Sequence, residues 1–528
     1  MALTYSGFKN NNSRRKFGIP NIYHYFKAVD CIVGNSAEIL KVTDRSEISL
    51  SKPLNGSPPV DQPYNKKTYS IAQTKQVVEK LYQDNLYQII LDINSCFDSI
   101  YTHTIPWAMH SKKIAKKSDG KTLVGDKLDR YIRQMNYGQT NGILVGNAVS
   151  RIISEIILCT VDKEIQMHFK DIKCCRFVDD YYIFLKDSSQ IQNIISFIRN
   201  ELGKYELVLN ENKLQINESP FIFGKHWVEE IKLFIHLNSE IFLNKVISLY
   251  VKYKDISILR YGLTVLSLHN LNKKEWEIME SKILNLWVKF PSLSDLVIKI
   301  LLNKRDFIKK SNLKNAIYSI FARCIPLNLH QEIIWAVWFS KTFNVQIKKE
   351  YILKIIESEN SLAIIILLDM IHSDSGQCRK SREVISAILT LREALKDDDL
   401  DENEDNEERK YGNLMWTQNW LLAYEADLNK WFNVDGNKFE FARKDPFFKN
   451  LIKNRICFYD SNFAYGELPT LQKDGKYVTK VEFVNYIEKI NNLLARAAQS
   501  NDDNNDIAEV QDISKEIMEK VEAQTNIY

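Results

Sequence analysis

Phe177-Val178-Asp179-Asp180-Tyr181 is the stretch on which the fold turns. Arg176 precedes it and Tyr182-Ile183-Phe184 follows. The flanks read as two β-strands joined by a tight turn that carries two carboxylates. Adjacent carboxylates repel, and they persist most readily where a divalent cation neutralises them. The bland alternative is a solvated, Asp-rich turn.

A third carboxylate shifts that balance. Tyr87-Gln88-Ile89-Ile90-Leu91 is an apolar, β-rich run ending in Asp92, and Ile93-Asn94-Ser95-Cys96-Phe97-Asp98-Ser99-Ile100 follows. An Asp closing a buried strand is poorly explained by packing. The interval between Asp92 and Asp179 leaves room for helices and turns between two neighbouring strands. Three carboxylates on adjacent strands can hold two Mg²⁺ ions about 4 Å apart, an arrangement that serves in-line displacement at phosphorus.

These residues resemble a known family, the reverse transcriptases. Asp92 with Phe97 resembles the family's motif A, and Phe177-Val178-Asp179-Asp180 its motif C. Between them, Asn141-Gly142-Ile143-Leu144-Val145-Gly146-Asn147-Ala148-Val149-Ser150 resembles motif B, a glycine-containing loop that opens a helix. That helix is also expected from Val149, Ile152, Ile153, Ile156 and Ile157 at helical spacing. Leu207-Val208-Leu209-Asn210-Glu211-Asn212-Lys213 resembles motif D. Motif B departs from the family pattern: Leu144 and Val145 precede Gly146, and Asn147 stands where a proline is frequent.

The resemblance implies a polymerase palm in which Asp92, Asp179 and Asp180 are catalytic. Asp92, Ile93, Asp179 and Asp180 would hold two Mg²⁺ ions, and Phe97, Val145, Gly146 and Lys213 would contact the nucleotide. Phe97 takes the family's steric-gate position, where an aromatic ring excludes ribonucleotides. The competing reading of Phe97 is a core side chain behind the strand.

Ser99-Ile100-Tyr101-Thr102-His103-Thr104-Ile105-Pro106-Trp107-Ala108-Met109-His110 resembles the bacterial defence-associated reverse transcriptases of the abortive-infection, AbiK-like and unknown-group type. Ile19-Pro20-Asn21-Ile22-Tyr23-His24-Tyr25 and Leu50-Ser51-Lys52-Pro53-Leu54 resemble the fingers of that group more loosely. Lys112, Lys113, Lys116, Lys117, Lys121, Lys127, Arg130 and Arg133 cluster between motifs A and B. They read either as a solvated face or as a nucleic-acid backbone contact.

The expected fold is α+β: a right-hand polymerase palm and fingers over 1–240, followed by an all-α region. From 241 to 396, apolar-periodic segments of helical length succeed one another at 242–268, 274–290, 292–304, 311–325, 329–343, 347–371 and 382–396. They resemble the HEAT-like α-repeat that replaces a thumb in AbiK-like enzymes. Trp287, Trp335 and Trp338 are expected between helices. Residues 397–410 are expected to form an acidic, mobile loop, and 411–498 to continue the helical part. There Trp416, Trp420 and Tyr424 are expected on one face of one helix. The tail, 499–528, is acidic, and a short helix is expected at 508–523.

The 528 residues carry a formal charge of only +4, but nine acidic residues and no basic ones fall within 397–408, so the rest is basic enough to meet phosphate. The eight cysteines show no CxxC pair, which suits a reducing compartment and argues against a zinc cluster. The polar N-terminus is no signal peptide, and the longest apolar run, Leu362 to Leu368, is too short to span a bilayer. A cytoplasmic enzyme without membrane contact is expected.

The family resemblance implies RNA-directed DNA polymerase activity in antiphage defence, with dNTPs as substrates and DNA as product. Synthesis would copy a non-coding RNA or run untemplated, and several family members prime on a protein tyrosine. Among 25 tyrosines, Tyr528 on the tail is one candidate. The resemblance also implies a homo-oligomer, and a phage factor is a further partner. The alternative is a catalytically silent palm serving as an RNA-binding or phage-sensing scaffold. Retention of all three carboxylates argues against it, because an unused site would gain stability by losing like charges.

Overall fold

A computed structural model describes residues 1–9, 13–53, 71–269, 271–373, 381–397 and 413–463. The chain divides into two compact units. One comprises Met1–Thr4 and Phe17–Phe223, and the other Tyr5–Lys16 and Gly224–Tyr528.

The chain opens with a hairpin of β1 (Leu3–Phe8) and β2 (Arg14–Ile19), then α1 (Ile22–Gly34), α2 (Ser36–Thr43) and α3 (Ile71–Lys80). Next come β3 (Tyr87–Asp92), α4 (Cys96–Ser99), α5 (Thr104–His110), α6 (Lys112–Ala115), α7 (Val124–Met135) and the long α8 (Ala148–His168). The hairpin β4 (Lys173–Phe177) and β5 (Asp180–Leu185), α9 (Ile191–Gly203) and β6 (Gln215–Glu218) complete the first unit, to which β1 and β2 give only their residues before Tyr5 and after Lys16. One antiparallel sheet runs in the order β4-β5-β3-β6.

Alternation along β5 covers both faces of that sheet. Tyr181, Ile183 and Leu185 join Ile89 and Leu91 in a core with Ile153, Ile156 and Ile157 of α8 and Ile194 and Ile198 of α9. Tyr182 and Phe184 point the other way, onto Val78 of α3 and Phe221. A two-residue period over a strand covered on both sides explains why the run is apolar throughout. The mixed α+β architecture expected for the palm is present.

The second unit is helical: α10 (Trp227–Lys232), α11 (Ser239–Tyr253), α12 (Ile256–Leu268), α13 (Lys273–Lys289), α14 (Ser294–Asn303), α15 (Lys310–Cys324) and α16 (His330–Thr342), then α17 (Lys349–Ile356), α18 (Ser361–His372), α19 (Arg382–Asp397), α20 (Trp420–Asn429) and α21 (Pro446–Lys453). Along much of the series a helix packs on the one two places further on, as in α11–α13, α12–α14, α13–α15, α16–α18, α17–α19 and α18–α20. Trp287 is fully buried and stacks on Phe339 with ring centroids 4.0 Å apart, whereas Trp335 and Trp338 are half-buried.

Three helix expectations need correction. The segment 242–268 divides into two helices, because Lys254 adopts φ +55° and Asp255 then caps the next helix by accepting from the Ser257 amide. The segment 347–371 divides likewise where Asn360 caps α18. Trp416 lies in a 3₁₀ turn, Asn413–Trp416, and the α-helix begins only at Trp420. Trp416, Trp420 and Tyr424 nevertheless all meet Phe448, so Trp416 shares their contact without sharing their helix.

The apolar run Leu362 to Leu368 lies in α18, which is buried nearly all round. Among the described residues no helix is long and apolar enough to cross a membrane. Residues 398–410 of the acidic loop, the tail with its expected helix at 508–523, and Tyr528 lie outside the described residues. The described cysteines, Cys31, Cys96, Cys159, Cys174, Cys175, Cys324 and Cys457, are free.

One buried histidine makes the second unit acid-sensitive. His269 is held by Ser239 Oγ at 2.9 Å and stacks on Phe242. Burial pushes its pKa down to about 4. An unfolded histidine protonates near 6.5, so the unfolded chain binds the extra proton first as pH falls. Stability is therefore full above about pH 6.5 and declines by about 3 kcal/mol on the way to pH 4. Thermal melting across that range is expected to fall less steeply in His269→Gln; an unchanged slope refutes the assignment.

Candidate active site

The site is assembled at one end of the central strands. Phe177 pairs with Asp180, which leaves Val178 and Asp179 as a two-residue turn between β4 and β5. Val178 adopts φ +57°. A β-branched residue pays steric strain there, so the surroundings must hold the turn in place.

Register brings in the third carboxylate. β3 lies antiparallel to β5 with Asp92 directly opposite Asp180. Beyond β3, Ile93 pairs with Leu209, and the Asn210 amide donates to the Asp92 carbonyl at 2.8 Å. The segment resembling motif D is thereby zipped against the one resembling motif A. Asn210 Nδ2 donates to Asp92 Oδ2 at 2.8 Å, and Lys213 Nζ stands 3.1 Å from the same oxygen. Lys213 is otherwise well exposed. Ile93 itself is buried.

Negative charge accumulates here. Asp180 has its pKa pushed up to about 7, first by burial and then by Asp179 and Asp92, with Lys213 opposing. A hydrogen bond also links the Asp180 and Asp92 carboxyls. Among the described residues no three His, Cys, Asp or Glu side chains converge as a finished metal site. Asp92 is turned instead toward Asn210 and Lys213. The chemistry of the donor set nonetheless fits a hard divalent cation: carboxylate oxygens crowded enough that one must bind a proton near neutrality.

The loop before α8 approaches the same neighbourhood. Gly142 has φ +83°, and a Cβ there would lie 2.9 Å from the Asp98 carbonyl, so glycine is required. The Ile143 amide donates to the Phe97 carbonyl at 2.8 Å, which ties the loop to the half-buried Phe97. Gly146 has φ +102° and is exposed beside half-buried Val145. Asn147 caps α8 by accepting from the Ser150 amide.

The basic cluster lies on other elements. Lys112 and Lys113 are on α6, Lys116 and Lys117 follow it, and Arg130 and Arg133 are on α7. Lys112 Nζ sits 3.9 Å from the Trp107 ring centroid, and Arg133 pairs with Asp129.

Beneath the turn is a buried polar network that sequence reasoning missed. Arg176 is wholly buried. Its guanidinium donates to Asp162 at 2.7–3.0 Å and to Glu155 at 3.0 and 3.1 Å. Burial opposes the arginine's charge, but Asp162 and Glu155 outweigh it and raise its pKa. Burial likewise pushes Glu155 up, and the charge and hydrogen bonds of Arg176 overcome that and hold the carboxyl below its usual range. Ser46 and Tyr181 donate to Asp162, and Ser49 and Ser51 donate to Glu155. The available signal was two acids, two turns apart, on the otherwise apolar face of α8.

Comparison with known proteins places these residues in a family. Residues 50–233 match the family described as reverse transcriptase (RNA-dependent DNA polymerase). The chain carries a reverse transcriptase domain. Over those residues it is an RNA-directed DNA polymerase domain, and every site residue described above falls within it, Ser46 and Ser49 excepted. No curated protein matches the chain.

Two solved structures are similar to it. Apo telomerase from Candida tropicalis is 12% identical over 73% of this chain and 69% of that one, with a TM-score of 0.31. Telomerase from Candida albicans with a fragment of telomeric RNA is 14% identical over 71% of this chain and 64% of that one, with a TM-score of 0.28. The assignment of the reverse transcriptase domain rests on the family match.

Proposed function

We propose that the chain polymerises dNTPs into DNA at a site built from Asp92, Asp179 and Asp180. The observation that carries this reading is the register of Asp92 opposite Asp180, with Asp179 in the adjoining turn, inside a reverse transcriptase domain. Mg²⁺ ions bound by these carboxylates, with the Ile93 backbone alongside, would supply charge neutralisation for the triphosphate and the attacking hydroxyl. Lys213 is poised to leave Asp92 for a phosphate, being exposed and paired to it by a single ion pair. The loop at Val145 and Gly146 borders the nucleotide, and Phe97 stands against the sugar.

Phe97 gives a direct test of sugar choice. Phe97→Val is expected to raise ribonucleotide incorporation by about tenfold or more relative to dNTP use, since pocket shape alone discriminates on that scale. Unchanged sugar preference in competition assays would return Phe97 to the role of a core side chain.

The wider reading is an antiphage-defence enzyme. Its support is the likeness of Ser99–His110 to the abortive-infection group and the stacked helices of the second unit, which we assign to a HEAT-like repeat standing in for a thumb. Such a solenoid offers broad surfaces for homo-oligomerisation and for a phage factor. Lys112, Lys113, Lys116, Lys117, Arg130 and Arg133 are assigned to nucleic-acid contact. Sequencing DNA made by purified protein with and without added RNA separates a copied non-coding RNA from untemplated synthesis. Mass spectrometry of the product separates priming on a tyrosine, Tyr528 included, from a nucleic-acid primer.

A further inference from the structure

The catalytic turn is gripped at both backbone groups of one residue. The Val178 amide donates to Ser51 Oγ at 2.8 Å, and the Val178 carbonyl accepts from Arg176 Nη1 at 2.7 Å. Both side chains are anchored on a single oxygen. Ser51 Oγ donates to Glu155 Oε1 at 2.9 Å, and Arg176 Nη1 donates to it at 3.0 Å. The result is a closed ring of hydrogen bonds running from the Val178 amide through Ser51, Glu155 and Arg176 to the Val178 carbonyl.

Ser51, Glu155 and Arg176 are all buried, so water does not compete for these bonds. Ser51 reaches the ring from the segment at the outer edge of β4, where the Leu50 amide donates to the Arg176 carbonyl and the Arg176 amide to the Ile48 carbonyl. Three distant parts of the chain therefore meet at Val178, whose φ is left-handed.

We propose that Ser51, Glu155 and Arg176 are positioning residues, whose ring holds Val178 in its strained conformation and thereby sets where the Asp179 and Asp180 carboxylates point. A network serving stability alone has no need to end on both polar groups of the turn. Without the ring, a valine relaxes toward negative φ and rotates the following carboxylate. Displacement of about 1 Å at a reacting centre costs on the order of 100-fold in rate. This inference rests on the polymerase reading.

Ser51→Ala tests it, because it opens the ring without leaving a charge unpaired. The expected result is a fall in kcat of roughly 10- to 100-fold, with KM for dNTP little changed. The midpoint for Mn²⁺ binding, followed by electron paramagnetic resonance on protein without nucleotide, is expected to rise several-fold. Ser51→Thr keeps the hydroxyl and should retain most activity. Adding Val178→Gly to Ser51→Ala should recover part of both losses, because glycine adopts positive φ without penalty.

A Ser51→Ala chain with wild-type kcat and wild-type Mn²⁺ midpoint overturns the positioning role. So does a loss that follows the melting temperature and is not relieved by Val178→Gly. Asp180→Asn assayed alongside separates the two readings. Its continued incorporation defeats the polymerase site, while the Mn²⁺ midpoints of the Ser51 variants still report on the turn. A wild-type chain that neither incorporates nucleotide nor binds Mn²⁺ overturns both.

Discussion

Asp179→Asn combined with Asp180→Asn is expected to abolish nucleotide incorporation, a loss on the order of 10³-fold or more, while the fold persists. Catalysis at the proposed site would consist largely of positioning and charge stabilisation, so removing two of its three carboxylates takes away most of what the protein would contribute. Stability moves the other way. Asp180 sits beside Asp92 and Asp179 with its pKa raised to about 7, so its ionised form is disfavoured in the folded chain. The folded state then holds a proton that the unfolded chain has released between about pH 4 and pH 7. The contribution of Asp180 to stability without divalent cation is consequently greatest at low pH and is lost as pH rises through that window. The double variant should melt at the same or a higher temperature than the parent at pH 8. Primer extension and thermal melting in EDTA check the two halves independently, and persistent incorporation would sink the site assignment.

Arg176→Met is expected to produce a large loss of stability in the reverse transcriptase domain. The arginine is wholly buried between Asp162 and Glu155, also buried, and its removal leaves two carboxylates without a counter-charge. Breaking a buried ion pair from one side costs about 3–5 kcal/mol. In a unit of this size that lowers the melting temperature by roughly 10 °C. Combining Arg176→Met with Glu155→Gln and Asp162→Asn removes the stranded charges and should return a large part of the loss. A melting temperature within a degree of wild type in the single variant would show that water or local rearrangement relieves these acids. Arg176→Lys is not equivalent, because one ammonium cannot serve two carboxylates and the Val178 carbonyl with a planar fork.

Much of this site was legible in the chain as written. The strands around Asp179 and Asp180 and the strand ending in Asp92 are local patterns of apolar and β-branched residues, and local patterns survive folding. The helix after Asn147 was equally visible from its periodicity. The buried network was not visible, because charged residues at core spacing carry no mark of whom they pair with. The two splits in the helical region were missed for a related reason. Lys254 and Asn360 interrupt helices through backbone geometry and capping, which leave the apolar periodicity on either side intact.

Sequence alone determined the two carboxylate-bearing segments, the loop with Gly142 and Gly146, and the change from mixed strands to successive helices. Each depends on neighbours within a few residues, where periodicity and turn chemistry act. Only the tertiary structure decided that Asp92 faces Asp180, that Lys213 meets Asp92, and that Ser51 reaches Val178 across 127 residues of chain. Those pairings are chosen by strand register and by the need to satisfy buried polar groups. Both requirements arise only once the sheet has closed over α8.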